Sequence, residues 1–131
     1  MNTDISTKDD VILLVNSFYE KVLKDESLGH IFNDIARVDW KHHLPIMYSF
    51  WSGILLDDHA YAGNPMIKHI ALDKKFPLKK EHFEVWLRLF YATVDELFKG
   101  MKAEEAKSRA AIIAQITQRK ISESRQGAQR Q

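Results

Sequence analysis

Phe83-Glu84-Val85-Trp86-Leu87-Arg88-Leu89-Phe90 places its bulk at every third or fourth position. Phe83, Trp86, Leu87 and Phe90, continued by Val94, Leu97 and Phe98, share one wide face of a helix, because 3.6 residues per turn brings such positions together. The pattern predicts a helix over Leu78 to Lys99, stopped at Gly100, a residue type suited to a helix C-terminus. Beyond it, Ala106, Ala110, Ile113, Ile116 and Thr117 predict a second helix from Ala103 to about Ser122. Glu104 and Glu105 sit in its first turn and Arg119 and Lys120 near its end, as the helix dipole favours. No strand-like alternation of useful length occurs anywhere, so the expected class is all-α.

Working back toward the N-terminus, Lys74, Lys75, Phe76 and Pro77 end a short segment, Gly63-Asn64-Pro65-Met66-Ile67-Lys68-His69-Ile70. Asn64 can cap free N–H groups and Pro65 suits the first helical position, so about two turns of helix are expected. They carry one histidine, His69, among apolar neighbours. Asp57 to Gly63 reads as a loop. Before it, Trp40, Leu44, Met47, Trp51, Ile54 and Leu55 form an apolar stripe behind a plausible cap, Asp39. His43, Met47, Phe50 and Ile54 lie on an adjoining face. Pro45 fits this helix if regular structure starts near Leu44 or the first turn is distorted. The first helix begins at the capping-box pair Thr7 and Asp10 and runs to about Lys24, with Val11, Leu14, Val15, Phe18 and Val22 at helical spacing and Tyr19 able to point inward with them. Asp25-Glu26-Ser27 breaks it, and His30 to Asp34 reads as a helical turn directing Ile31 and Phe32 inward.

The chain has 131 residues, 45% apolar and 28% charged, which fits one domain over residues 1–131 with polar, frayed ends at 1–6 and 123–131. A net charge of +1 gives no bias toward nucleic acid or membrane. The absence of cysteine excludes disulfides, thiolate metal sites and cysteine nucleophiles. No run of about 18 apolar residues offers a membrane span, and Met1-Asn2-Thr3-Asp4 lacks a signal-peptide layout, so the expected location is the cytoplasm.

Taken in order, Phe18-Tyr19-Glu20-Lys21-Val22, Leu28-Gly29-His30-Ile31-Phe32-Asn33, Trp40-Lys41-His42-His43, Phe50-Trp51-Ser52-Gly53, Lys68-His69 and the 83–90 stretch resemble the truncated haemoglobins, most closely their third group. The resemblance covers roughly Val11 to Ile116, and the absence of any Gly-Gly pair suits that group. It implies a truncated globin fold, a two-over-two helical sandwich around haem b. It makes His69 the proximal iron ligand and Tyr19, His43 and Trp86 the distal residues facing a bound diatomic ligand. Phe32, Met47, Phe50, Phe76, Trp86, Phe90 and Ile113 would join His69 in contacting the cofactor.

Each of these residues also has an ordinary reading. A lone histidine among apolar neighbours is usually structural. Phe32, Met47, Phe50 and Phe90 need no role beyond packing, although against porphyrin they would bury area worth about 25 cal/mol per Å². Tyr19 and Trp86 differ in carrying donors that need partners when buried. His42 and His43 cannot face one pocket, since helical neighbours point about 100° apart. Three functions follow. The first is a haem protein reversibly binding O2, CO and NO, a monomer with a dimer as the alternative. The second is a haem enzyme with peroxidase-like or nitric-oxide dioxygenase chemistry, dependent on an external reductase. For the second, Asp73, four residues after His69, is a weak candidate to hydrogen-bond the other ring nitrogen. The third is a cofactor-free helical interaction module.

Overall fold

The computed structural model describes residues 2–35, 37–57, 73 and 77–129. The first helix, α1, spans Lys8–Lys24. Thr7 and Asp10 form the expected capping box: the Asp10 N–H donates to Thr7 Oγ1 at 3.2 Å and the Thr7 N–H to Asp10 Oδ2 at 3.0 Å. Its buried stripe is Val11, Leu14, Val15, Phe18, Tyr19 and Val22. The polar break after it is itself a cap. Asp25 accepts the Leu28 N–H at 3.0 Å and starts α2, Glu26–His30, one residue after α1 ends. So tight a junction needs Gly29, where a Cβ would lie 2.6 Å from the Leu23 carbonyl oxygen. The chain then runs straight into a π-helical turn, Ile31–Ile35, which carries Phe32.

The helix α3 spans Trp40–Leu55 and departs from both readings of Pro45. Its first turn is regular, with the His43 N–H donating to the Asp39 carbonyl at 2.8 Å, and Pro45 lies inside the helix. Asp39 stands at the N-cap without a side-chain cap bond. Proline is tolerated because Lys41, whose carbonyl would have received the missing N–H, is exposed, as is Pro45, so water can replace the lost partner.

Helix α4 spans Lys80–Leu97 and α5 Met101–Gln129. Helix α1 packs on α3 and on α4, and α4 packs on α5, so the pairs α1/α3 and α4/α5 stack as a two-over-two sandwich. Phe18, Trp51, Phe90 and Val94 are buried at the centre. Among the described residues no strand forms; Thr3 and Phe98 make an isolated bridge.

Within the polar end stretches, Asp4, Ile5 and Arg125 make tertiary contacts. Ile5 is buried, and the Asp4 carboxylate accepts the N–H groups of Lys102 and Ala103, each at 2.9 Å. Asp4 thus caps α5 from the opposite end of the chain. Gly100, at φ +147°, makes room, since a Cβ there would lie 2.5 Å from Asp4 Cγ. At the other end, α5 continues past Ser122, and Arg125 is engaged in an ion pair with Asp73. Composition could not show these partners, which are distant in sequence. Among the described residues no helix is long and apolar enough to cross a membrane.

Candidate functional site

The inward face of α1 presents Tyr19 to a ring cluster drawn from two other elements. Its ring centroid lies 6.0 Å from Phe32 on the π-helical turn, and 5.1 Å from Trp40 and 5.6 Å from His43 on α3. Phe32 and Trp40 are 5.6 Å apart and Trp40 and His43 5.5 Å, so each ring holds the others in place. Such edge and tilted pairs are worth roughly 0.5–1.5 kcal/mol each beyond area burial. His43 therefore faces Tyr19 despite Pro45, whereas His42 is exposed, as their 100° separation requires. Trp40 joins the cluster unannounced. Its helical stripe read as core, and only its i, i+3 relation to His43 hinted at a shared neighbour.

Tyr19 is 8% exposed, yet among the described residues none accepts a hydrogen bond from its hydroxyl. Burial pushes the phenol well above its ordinary pKa, so it stays protonated and able to donate. The hydroxyl is thus left available to an acceptor that arrives from elsewhere.

Trp86 forms a second wall. It stacks on Phe90 at 5.8 Å and meets Phe18 edge-on at 5.6 Å, while Phe18 in turn touches Tyr19 at 5.0 Å. Phe18 thus links the two donor-bearing rings. Phe90 is fully buried, sandwiched between Trp86 and Trp51, so it backs the wall and Trp86 supplies the surface. An apolar cavity opens beside Trp86, lined by Leu28, Ile31, Phe32, Leu78, His82, Phe83, Ile113, Ala114 and Thr117. Of the expected cofactor contacts, Phe32, Trp86 and Ile113 line it. Met47 and Phe50 are half-buried on α3, packed against the core. Phe83 and Thr117 were legible as inward helix positions, but not as cavity residues, because periodicity cannot separate a wall from a core. His69 with its short helix, and Phe76, lie outside the described residues.

Asp73 is committed elsewhere than its candidacy beside His69 suggested. Its carboxylate accepts from Arg125 Nε at 2.9 Å, from Arg125 Nη2, and from the Leu78 N–H at 2.8 Å. Burial pushes this carboxyl up, but the Arg125 and Leu78 hydrogen bonds outweigh that and hold it below the usual range. Arg125 and Leu78 thus engage both oxygens, with Oδ2 taking a single donor; His69 itself lies outside the described residues.

A protonated phenol on a buried residue, an indole joined to it through Phe18, an apolar cavity lined by Trp86 and Phe32 and a two-over-two sandwich form one ordered arrangement, and residues 3–122 match the sequence model of the bacterial-like globin family. The chain is a bacterial-like globin. It is similar to the group 3 truncated haemoglobin ctb of Campylobacter jejuni, with 34% identity over 117 residues, covering 87% of this globin and 90% of that protein. The crystal structure of group III truncated haemoglobin from Campylobacter jejuni superposes with a TM-score of 0.80 at 34% identity, covering 92% of this globin and 95% of that chain. The fold is thus the truncated globin fold of the third group, and a haem cofactor goes with the family. The residues present fit that group. The half-buried faces of Phe32, Met47, Phe50 and Trp86 offer apolar surface to a flat macrocycle, and Tyr19 holds a donor that no described residue uses.

Proposed function

We propose that this globin holds haem b through His69 and reversibly binds diatomic ligands, O2 foremost and also CO and NO, with Tyr19 as the principal hydrogen-bond donor. The observation that carries this reading is Tyr19, a mostly buried residue held among Phe32, Trp40 and His43, whose protonated hydroxyl has no acceptor among the described residues. Haem b, held through His69, would supply an iron able to take up a small diatomic ligand. Everything else is the work of the chain. Phe32, Trp40 and His43 fix the Tyr19 ring, so little rotamer freedom is lost when its O–H finds an acceptor. Trp86, which lines the cavity, offers a donor-only N–H. Phe32, Met47, Phe50 and Ile113 supply apolar contact and exclude water, which strengthens every hydrogen bond made inside. The cytoplasm is the proposed location.

Haemin titration of the purified protein, followed by ferrous spectra with and without O2, CO and NO, tests the reading. One equivalent of haemin should bind, and each gas should shift the intense band in the blue. A protein that takes up no haemin, or whose ferrous spectrum ignores all three gases, refutes it.

A further inference from the structure

Trp40 is the first residue of α3, the helix that carries His43. The start of that helix is not secured by a cap of its own. Asp39 occupies the N-cap without a side-chain cap bond. Arg37, two residues earlier, adopts left-handed backbone at φ +51°, a conformation that a non-glycine residue keeps where its surroundings hold it. Two ties from Phe32 take the place of the cap. The Val38 N–H donates to the Phe32 carbonyl at 3.0 Å, and the Phe32 and Trp40 rings lie 5.6 Å apart at 33°. Trp40 passes this anchorage on. It follows the N-cap and precedes His43 by three residues, so the two side chains share one face of the first turn.

Trp40, His43 and Tyr19 form a triangle of mutual ring contacts with sides of 5.1, 5.5 and 5.6 Å. Moving any one of these rings breaks two contacts, so a triangle resists displacement where a single pair would not. Within the triangle Trp40 alone begins an element, and its further contact with Phe32 ties α3 to the π-helical turn. We infer that Trp40 is a positioning residue for the ligand pocket: it holds the first turn of α3 so that His43 faces Tyr19, and so keeps the Tyr19 ring and its hydroxyl in one position toward a bound ligand. This inference rests on the proposed role of Tyr19 as the donor. An aliphatic side chain at position 40 would fill part of the same space but supply none of the ring pairs.

The test uses the full-length, haem-loaded protein in its ferrous CO form. Proton NMR reads contacts between the His43 and Tyr19 rings, and infrared spectroscopy reads the C–O stretching band. Wild type should show the ring contacts and one dominant band. Trp40→Leu should lose the contacts, split or broaden the band, and release O2 about fivefold faster, the worth of one aromatic pair. Trp40→Phe keeps a ring in the triangle and gives a folded variant should Trp40→Leu not fold; it should fall between wild type and Trp40→Leu. In a Tyr19→Phe background, Trp40→Leu should add almost nothing to the O2 off-rate, because the hydroxyl it positions is already gone. A Trp40→Leu protein that melts earlier but keeps the ring contacts and the wild-type band makes Trp40 plain packing and overturns the inference. A full additive effect in the Tyr19→Phe background overturns it too, and both results leave Tyr19 standing as the donor. A wild-type protein that takes up no haemin, or a Tyr19→Phe protein with an unchanged off-rate, refutes the proposed function instead and the inference with it.

Discussion

Replacing Tyr19 by Phe separates function from stability more cleanly than any other single change. The Tyr19 ring contacts Phe18, Phe32, Trp40 and His43 through its faces and edges, all of which Phe keeps. The hydroxyl has no acceptor among the described residues, so removing it breaks no internal hydrogen bond there. Stability should therefore be little changed. The bound ligand loses one hydrogen bond worth about 1.4 kcal/mol, which is tenfold in an equilibrium constant. Because the bond forms after the ligand arrives, the loss belongs in the off-rate. Stopped-flow displacement of O2 by CO should show a dissociation rate about tenfold faster or more, with association little changed. Urea denaturation of the haem-free protein should show no loss of stability. In the wild type, the off-rate should stay flat as pH rises through 10, since burial keeps the phenol protonated there. An unchanged off-rate combined with a clear loss of stability would refute the reasoning and make Tyr19 a structural residue.

Other outcomes follow from the same contacts. His69→Ala should weaken haem retention strongly, measured as haem transfer to apomyoglobin; normal ligation in that variant would remove His69 as the iron ligand. Because Phe18 bridges Tyr19 and Trp86, Tyr19→Phe and Trp86→Phe should be non-additive in O2 off-rate; strict additivity would mean the two rings share no network. Asp4→Ala should cost roughly 1–2 kcal/mol in urea denaturation, the worth of a helix cap, while leaving ligand off-rates unchanged. Asp4, Asp10, Asp25 and Asp73 are all held below the ordinary value of 3.8: hydrogen bonds lower Asp10 and Asp25, and at Asp4 and Asp73 they overcome the upward push of burial. Between the folded and unfolded values the unfolded chain binds more protons. Their stabilisation is thus complete above about pH 4 and lost as pH falls further, and an acid melt of Asp4→Ala should show a shallower loss.

Helical periodicity and capping were enough to place α1, α3 and α4, because those signals are local: Thr7 with Asp10, the stripe from Trp40 to Leu55, and the face from Phe83 to Val94 each refer to neighbours within a few turns. The ordered motifs also pointed to the right family. Local signals could not decide that Pro45 sits inside a regular helix, since that depends on whether the freed Lys41 carbonyl meets water. Nor could they show that Phe90 backs the wall that Trp86 surfaces, because both lie on one apolar face.

What the sequence determined alone is the inventory: four long amphipathic helices, a buried tyrosine on the first and an aromatic face on the third. What only the tertiary structure decided is which groups meet. Asp4 reaches α5 across 98 residues, Arg125 reaches Asp73 across 52, and Phe32, Trp40 and His43 converge on Tyr19 from separate elements. Helix formation is governed by interactions three and four residues apart, which a linear reading captures. A cap, an ion pair and a ring cluster around a tyrosine are created by packing, and packing brings together residues that no spacing rule connects.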